Sequence, residues 1–313
     1  MGNAVEVSNL VKRYDGLAAV DGVSFSIREG EVFSFLGPNG AGKTTTTEIL
    51  EGLRNRTSGD ARVFGLDPWT QGDELHRKIG VIPQDFRFYE KITPAEAIEY
   101  YAALFGTKAD AHQLLERVIL ADKADAHFDT LSGGQKQKLG LALSLANDPR
   151  MCFLDEPTTG LDPQARRSIW EVIRQLKADG RGVFLTTHYL EEAELLADRV
   201  AIINHGRIIA EGTPKEIIAK FGAAEKIRVH APASLANALR AKISQRVVDS
   251  EGWVEIEITD QKEILKVLTA MDQTGIPWDS FSTVQENLED VFVKLVGKMD
   301  DGRLKSESPE APA

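Results

Sequence analysis

Cysteine is nearly absent from the sequence, and long apolar runs are absent altogether. Cys152 is the one cysteine among 313 residues, so an internal disulfide or a thiolate zinc site cannot form. It lies in an apolar run at 151–154, where a buried and unreactive thiol is expected. No stretch approaches the roughly 18 apolar residues of a membrane span. These absences predict an intracellular protein that meets a membrane only through a partner.

Positive charge is also scarce. The 37 lysine and arginine residues face 48 aspartate and glutamate residues, which gives a formal net charge of -11. A phosphate backbone attracts a basic surface, so this balance argues against general nucleic-acid binding. A solubilising acidic surface is the simpler interpretation. The chain is long enough to bury one large core and to carry a second, smaller module.

Strand and helix patterns alternate through the first two thirds of the chain. Strands are predicted at 5–10, 20–27, 32–36, 151–154, 182–186 and 199–204, and helices at 45–53, 110–120 and 135–146. Thr93, Pro94 and Glu96 form a capping-box start for another helix, and Asp162 caps one more. The alternation predicts an α/β fold with a mostly parallel sheet covered on both faces. Helices between about 90 and 147 predict an inserted helical subdomain.

The pattern changes near residue 221. Residues 226–297 are predicted to form a strand, a helix, a strand, a helix, a strand or loop, and a helix, without a catalytic cluster. The polar end of the sequence contains proline and glycine and is predicted to be disordered. We therefore divide the chain into a domain at 1–221, a small C-terminal α+β accessory domain at 222–298 and a disordered tail at 299–313.

A glycine-rich loop follows the predicted strand at 32–36. Residues 37–44 read Gly-Pro-Asn-Gly-Ala-Gly-Lys-Thr and match the phosphate-binding pattern between a strand and a helix. Glycine lets backbone N–H groups converge on phosphate oxygens, and the helix N-terminus adds a favourable dipole. Lys43 would then reach the β- and γ-phosphates, and the Thr44 hydroxyl would bind Mg²⁺. An incidental glycine turn fits this context poorly, so the loop predicts nucleoside triphosphate binding.

Two carboxylates end the predicted strand at 151–154. An unpaired carboxylate inside a sheet costs several kcal/mol, so Asp155 favours a nearby cation and suits the outer coordination sphere of Mg²⁺. Glu156 suits a general base that orients the attacking water. Strands often end in acidic residues for solvation alone. In combination with the phosphate-binding loop, however, the pair indicates a hydrolytic site.

Residues 131–135 read Leu-Ser-Gly-Gly-Gln and precede a helix. By themselves they are typical of a helix cap, since Ser132 and Gln135 form a capping-box pattern. Together with the loop at 37–44 and the acidic pair, they resemble the nucleotide-binding domain of ATP-binding-cassette (ABC) ATPases. The resemblance covers about residues 1–220. It implies a P-loop NTPase fold of the ABC type with an inserted helical subdomain, and hydrolysis of ATP with Mg²⁺.

The minor motifs of that family follow in order along the chain. Tyr14 matches the aromatic residue that stacks on adenine, and Gln84 matches the glutamine that touches Mg²⁺ and relays to the membrane partner. Asp162 matches the loop that contacts the opposite subunit, and His188 matches the switch histidine that holds the γ-phosphate. Taken alone, Tyr14 would more simply be a core or surface tyrosine, and His188 a histidine at a strand end without a functional role.

The resemblance implies a composite site. The implied catalytic residues are Lys43, Glu156 and His188. The implied nucleotide-binding residues are Tyr14, Gly37, Pro38, Asn39, Gly40, Ala41, Gly42, Lys43, Thr44, Thr45 and Gln84. The implied metal-binding residues are Thr44, Gln84 and Asp155. The chain has one phosphate-binding loop and one copy of the segment at 131–135. The resemblance therefore implies that a second, antiparallel copy of the chain supplies Ser132, Gly133, Gly134, Gln135 and Asp162.

The resemblance also implies a membrane partner. Single cassettes usually serve a separate transmembrane permease, whose coupling helix docks near Phe86, Phe88 and Tyr89; packing under the helical subdomain is the alternative for these rings. The segment at 287–297 resembles the tail of the daunorubicin-resistance-type ATPases that power ABC-2 exporters.

Those parallels imply a cytoplasmic motor subunit, peripheral on the inner face of the cell membrane through its permease. Its homodimer would form around two ATP–Mg²⁺, and no segment of its own would enter the membrane. The alternatives are an ABC-2 system for lipid, polysaccharide or ion, and a soluble ABC ATPase outside transport.

Overall fold

The computed structural model describes residues 2–82, 88–222, 225–250, 252–258, 261–284 and 286–300. Its contacts divide the chain into two compact units, of which one runs to Lys215 and the other spans Glu216–Gly297. The division lies near the predicted boundary at residue 221, inside helix α8 (Pro214–Phe221). Gln84 and Phe86 lie outside the described residues, as do residues 301–313 of the predicted tail.

The first unit contains nine described strands and seven described helices before α8. The strands are β1 (Asn3–Tyr14), β2 (Leu17–Arg28), β3 (Val32–Leu36), β4 (Ser58–Val63), β5 (Ile79–Ile82), β6 (Met151–Asp155), β7 (Gly182–Thr187), β8 (Arg199–Asn204) and β9 (Arg207–Gly212). The helices are α1 (Lys43–Leu50), α2 (Gly72–His76), α3 (Pro94–Leu104), α4 (Ala111–Arg117), α5 (Gly133–Ser144), α6 (Pro163–Ala178) and α7 (Leu190–Leu196).

A six-stranded sheet organises this unit. Its strand order is β5-β6-β7-β3-β8-β9, with parallel pairing throughout except for the antiparallel edge strand β9. Strands β3, β6 and β7 are buried along their whole length, as strands covered on both faces must be. Since parallel strands end at the same edge, the segments that follow β3, β6 and β7 lie side by side.

A smaller antiparallel sheet, in the order β2-β1-β4, covers one side of the central sheet. Rings from both sheets form part of the shared core: the centroid of Phe25 lies 5.4 Å from that of Phe33 and 6.3 Å from that of Phe184. Ile49 of α1 belongs to the same buried cluster. The core therefore anchors α1, the helix that begins at the phosphate-binding loop.

Helices α3, α4 and α5 form the predicted helical subdomain. The predicted capping box is present at its start: the Thr93 N–H donates to Glu96 Oε2 at 2.9 Å, and the Glu96 N–H donates to Thr93 Oγ1 at 3.3 Å. Ile98 of α3 and Leu139 of α5 are buried in one cluster with Ile173 of α6. This shared cluster ties the subdomain to the helix that follows the acidic pair.

The second unit contains a four-stranded antiparallel sheet in the order β11-β12-β10-β13. Its elements are β10 (Glu225–His230), α9 (Ala233–Arg240), β11 (Val247–Ser250), β12 (Trp253–Ile258), α10 (Gln261–Asp272), β13 (Ser280–Val284) and α11 (Leu288–Asp300). Ile227, Leu235 and Val254 belong to its buried core. The α+β composition agrees with the sequence pattern, and the segment whose pattern fits either a strand or a loop forms β13.

Several elements have no clear sequence signal. Strand β4 reads Ser-Gly-Asp-Ala-Arg-Val and forms because it pairs with β1, with Val63 opposite Val5. Strands β9 and β11 and helices α2 and α8 likewise lack a clear signal in the sequence. Helix α11 reaches Asp300, two residues into the predicted tail. Within the described ranges, no helix combines the length and apolar character needed to cross a bilayer.

Candidate functional site

The loop at 37–42 leaves β3 and enters α1 through two tightly packed glycines. A Cβ on Gly37 would lie 2.4 Å from the Ile203 carbonyl oxygen, and one on Gly42 would lie 2.4 Å from the Ala19 carbonyl oxygen. Gly42 also has a φ of 108°, which side chains rarely permit. Neighbouring backbone thus fixes the shape of this loop, and only glycine fits at either position.

Lys43 is buried above this loop. Its Nζ donates to the carbonyl oxygens of Gly37 at 2.8 Å and Pro38 at 3.2 Å, and it lies 3.9 Å from Glu156 Oε1. Burial lowers the pKa of Lys43, while the negative charges of Glu156 and Asp155 oppose that shift. The loop therefore holds a cation where phosphate oxygens can replace the carbonyl oxygens.

Asp155 ends β6 as a buried carboxylate. It accepts a short hydrogen bond from the Thr186 hydroxyl of the neighbouring strand β7. Burial raises the pKa of Asp155; hydrogen bonds from Thr186 and Thr44 and the charge of Lys43 oppose this, whereas Glu156 adds to it. The Thr44 hydroxyl therefore helps to hold the pKa of Asp155 down, and both side chains offer oxygen ligands of the kind that Mg²⁺ prefers.

The described residues contain no group of three or more His, Cys, Asp or Glu side chains able to hold a metal on their own. Mg²⁺ usually binds through one or two protein oxygens together with substrate phosphates and water. The pair formed by Thr44 and Asp155 fits that kind of site. A cation there would take its remaining ligands from the nucleotide and from water.

Glu156 lies at the centre of the site. Its Oε2 accepts from the Thr159 hydroxyl at 3.0 Å and lies 3.3 Å from His188 Nδ1, while its Oε1 faces Lys43. Its N–H donates to the carbonyl and hydroxyl oxygens of Thr186, at 3.1 and 3.0 Å. Three side chains predicted as catalytic from separate motifs, Lys43, Glu156 and His188, therefore meet at one edge of the sheet.

The segment at 132–135 is a helix cap. The Ser132 N–H donates to Gln135 Oε1 at 2.9 Å, and the Gln135 N–H donates to Ser132 Oγ at 3.3 Å. Asp162 Oδ1 caps α6 by accepting from the N–H groups of Gln164 and Ala165, both at 2.9 Å. Ser132, Gly133 and Asp162 are exposed. Among the described residues, these contacts stay local and none reaches the loop at 37–44.

Tyr14 ends β1 as a half-buried ring between two cations. Lys12 Nζ lies 5.0 Å and the Arg54 guanidinium carbon 5.4 Å from the centroid of the Tyr14 ring. A partly open ring of this kind can stack on a planar base. Of the other predicted aromatics, Phe88 packs near Phe128 in the helical subdomain, whereas Tyr89 is 75% exposed.

Two buried carboxyl groups beside the site carry little signal in the sequence. Glu51 follows α1 and is 4% exposed, and burial, with smaller effects of Asp155 and Glu48, raises its pKa to about 8. Glu192 of α7 is fully buried and accepts hydrogen bonds from Thr158 and Trp170. Each falls among the apolar residues that mark the buried side of a helical segment, and this position is the signal in the sequence that indicates its burial.

Comparison with known proteins gives the family. A family profile described as ABC transporter matches residues 20–159. The daunorubicin/doxorubicin resistance ATP-binding protein DrrA of Streptomyces peucetius is 38% identical over 318 residues, covering 98% of this chain and 96% of that protein. The chain belongs to the ABC transporter ATP-binding proteins. The Nod factor export ATP-binding protein I of Ralstonia nicotianae is 38% identical over 301 residues, covering 94% of this chain and 94% of that protein.

Solved structures agree with this assignment to the ABC family. An ATP-binding subunit of an ABC transporter superposes with a TM-score of 0.64 at 30% identity, covering 70% of this chain and 93% of that one. A dimeric ATP-binding cassette in a post-hydrolysis state, bound to ADP and Pi, gives 0.61 at 28% identity, covering 67% and 98%. These findings confirm the predicted P-loop fold of the ABC type. This ABC protein binds nucleotide and is an ATPase coupled to transport.

Proposed function

We propose that this ABC ATPase is the motor subunit of a two-component exporter and hydrolyses ATP at the edge of its central sheet. The observation that carries the hydrolytic role is the position of Glu156, whose carboxylate lies 3.9 Å from Lys43 Nζ and 3.3 Å from His188 Nδ1. A base next to a phosphate-holding cation and a second polar group is what water attack on a phosphate requires.

Each residue receives a role from its position. Lys43 and the loop at 37–45 hold the phosphates, and Tyr14 stacks on the adenine. Thr44 and Asp155 hold Mg²⁺, with Gln84 proposed from its motif alone. When bound, this ion neutralises charge that builds up on the phosphate oxygens. Glu156 orients the attacking water and accepts its proton, while His188 contacts the γ-phosphate.

The roles of Glu156 and His188 are tested by substitution. Glu156→Gln and His188→Ala should each lower the ATPase rate at least about a hundredfold. For Glu156 this is the usual size of an acid–base contribution, and for His188 it is the usual cost of losing one donor to the charge that develops in the transition state. Glu191→Gln serves as the matched control, because Glu191 is an exposed carboxylate of α7 next to the site loop. Steady-state phosphate release measures all three. Near wild-type rates for Glu156→Gln and His188→Ala would refute the assigned roles.

We further propose that the active form is a homodimer with two shared ATP sites. Ser132, Gly133 and Asp162 are exposed and make no described contact with the phosphate-binding loop of their own chain. In the antiparallel arrangement, the segment at 132–135 of one copy would close over ATP held by the other. The dimeric relative bound to ADP and Pi supports this arrangement.

Light scattering tests the dimer. Glu156→Gln should bind ATP–Mg²⁺ without hydrolysing it and should shift to twice the monomer mass. Lys43→Ala, which removes the phosphate-holding cation, should stay at the monomer mass under the same conditions. A Glu156→Gln chain that binds ATP and remains monomeric would contradict the shared site.

The proposal of an exporter rests on relatives that align beyond the ATPase unit. Both named relatives cover at least 94% of this chain, and their names refer to drug resistance and to export. We propose a separate ABC-2 permease as partner, attachment to the inner face of the cell membrane through it, and an accessory role for the domain at 222–298. A lipid, polysaccharide or ion exporter is the alternative cargo class.

Co-expression with candidate permeases tests this assignment. The chain should enter the membrane fraction only when its permease is present, and efflux of the cargo should stop with Lys43→Ala. A soluble ATPase outside transport would stay in the supernatant with every permease. Daunorubicin-like drugs, lipids, polysaccharides and ions, tested in turn, separate the cargo classes.

A further inference from the structure

Glu192 is a buried carboxylate that receives hydrogen bonds from three elements. Thr158 Oγ1 donates to its Oε2 at 3.1 Å, and Trp170 Nε1 of α6 donates to its Oε1 at 2.9 Å. Hydrogen bonding by the Thr187 side chain also lowers the pKa of Glu192, against the larger effect of burial, which raises it. Burial of this acid would be unfavourable without such donors, since an unpaired carboxylate away from water is very costly.

Two of these donors belong to the loops that carry the reactive side chains. Thr158 lies two residues after Glu156, and the adjacent Thr159 hydroxyl donates to Glu156 Oε2 at 3.0 Å. Thr187 directly precedes His188, and its Oγ1 accepts the N–H of Tyr189 at 2.9 Å. One carboxylate therefore anchors the backbone on both sides of the contact between Glu156 and His188.

A stacked set of side chains adds a second connection. The positive charge of Arg166 acts on Glu192, and its guanidinium carbon lies 3.9 Å from the centroid of the Tyr189 ring. That ring in turn lies 4.2 Å from the His188 ring, centroid to centroid. A series of neighbouring side chains thus connects the buried Glu192, through Arg166 and Tyr189, to the exposed imidazole of His188.

We propose that Glu192 is a positioning residue that holds the Glu156 loop and the His188 loop in one fixed arrangement for ATP hydrolysis. It is fully buried and acts through Thr158 and Thr187. The inference rests on the roles proposed above for Glu156 and His188. A packing role alone would be served better by an apolar residue, because a buried carboxylate often stabilises less than a well-packed hydrophobic side chain.

Two substitutions that each remove one donor to the same carboxylate provide a matched test. Thr158→Val removes a hydroxyl on the Glu156 loop, and Trp170→Phe removes the indole N–H on α6. Thr158→Val should lower kcat about tenfold with the KM for ATP within about twofold, because loop geometry and not nucleotide affinity is disturbed. Trp170→Phe should lower the Tm while its kcat stays within about twofold of wild type.

Substitution of the acid itself completes the test. Glu192→Ala should lower kcat further than Thr158→Val, and Glu192→Gln should recover part of the loss because its amide oxygen still accepts from one threonine. The His188 side-chain nitrogen resonances of the full chain should shift in Thr158→Val and not in Trp170→Phe. If Glu192→Ala fails to fold, Glu192→Gln and Thr158→Val carry the comparison.

Equal kcat losses in Thr158→Val and Trp170→Phe, or wild-type kcat in both Thr158→Val and Glu192→Gln, would show that Glu192 only stabilises the fold. Glu156→Gln and His188→Ala, run in the same assay, distinguish a failure of the positioning role from a failure of the catalytic roles. If those two variants keep wild-type activity, the proposed catalytic roles are wrong and the inference fails with them.

Discussion

Glu51 should make the stability of this protein fall as the pH rises. Burial, together with the charges of Asp155 and Glu48, raises its pKa from 4.5 to about 8. Between these two values the folded chain keeps the proton that the unfolded chain releases, so folding becomes less favourable with increasing pH. The penalty is absent below about pH 4.5 and complete above about pH 8. At about 1.4 kcal/mol per pH unit it reaches roughly 5 kcal/mol.

Glu51→Gln removes this penalty because the amide is neutral at every pH. Urea unfolding between pH 5 and pH 8 should show a variant that is more stable than wild type by a few kcal/mol at pH 8, with the two curves converging towards pH 5. Glu74→Gln is the control, since Glu74 is an exposed carboxylate paired with Lys78 and should leave the pH dependence unchanged. Parallel curves for wild type and Glu51→Gln, or a less stable variant at pH 8, would refute the reasoning.

Three further predictions follow from the site and its core. Thr186→Val removes the hydroxyl that donates to Asp155, so the ATPase rate should fall at least about tenfold and the free energy of unfolding by about 1–3 kcal/mol, measured by phosphate release and urea unfolding; an unchanged rate would contradict it. Gly37→Ala places a Cβ 2.4 Å from the Ile203 carbonyl oxygen, so binding of a fluorescent ATP analogue should be lost, and wild-type affinity would exclude the packing argument. Burial raises the pKa of the Cys152 thiol to about 12, so a thiol reagent should label it only after denaturation, and rapid labelling of the native chain would disprove this.

The centre of the site can be predicted from the sequence because its signals are local. The loop at 37–44 and the acidic residues Asp155 and Glu156 each follow a short apolar strand, and His188 follows another. Parallel pairing of β3, β6 and β7 then brings the three strand ends together without any further information from the sequence. The contacts among Lys43, Glu156 and His188 are the consequence.

The buried acids could not be found in the same way. Glu51 and Glu192 lie in helical segments where a carboxylate normally faces water, and only tertiary packing shows that both are enclosed. Strand β4 has the same origin, since its polar sequence becomes a strand through pairing with β1. Contacts between distant segments decided these features, whereas local pattern decided the phosphate-binding loop.

The backbone at Glu156 carries a consequence for attempts to engineer this protein. Its φ of 48° lies in the left-handed region, which costs a non-glycine residue about 1–2 kcal/mol. Glycine would relax the chain there but would leave Lys43 and His188 without their acid. A selection for heat resistance alone would therefore favour Glu156→Gly and would yield a more stable enzyme without ATPase activity. Thermal stability and ATPase activity place opposite requirements on this residue, so any such selection has to measure both.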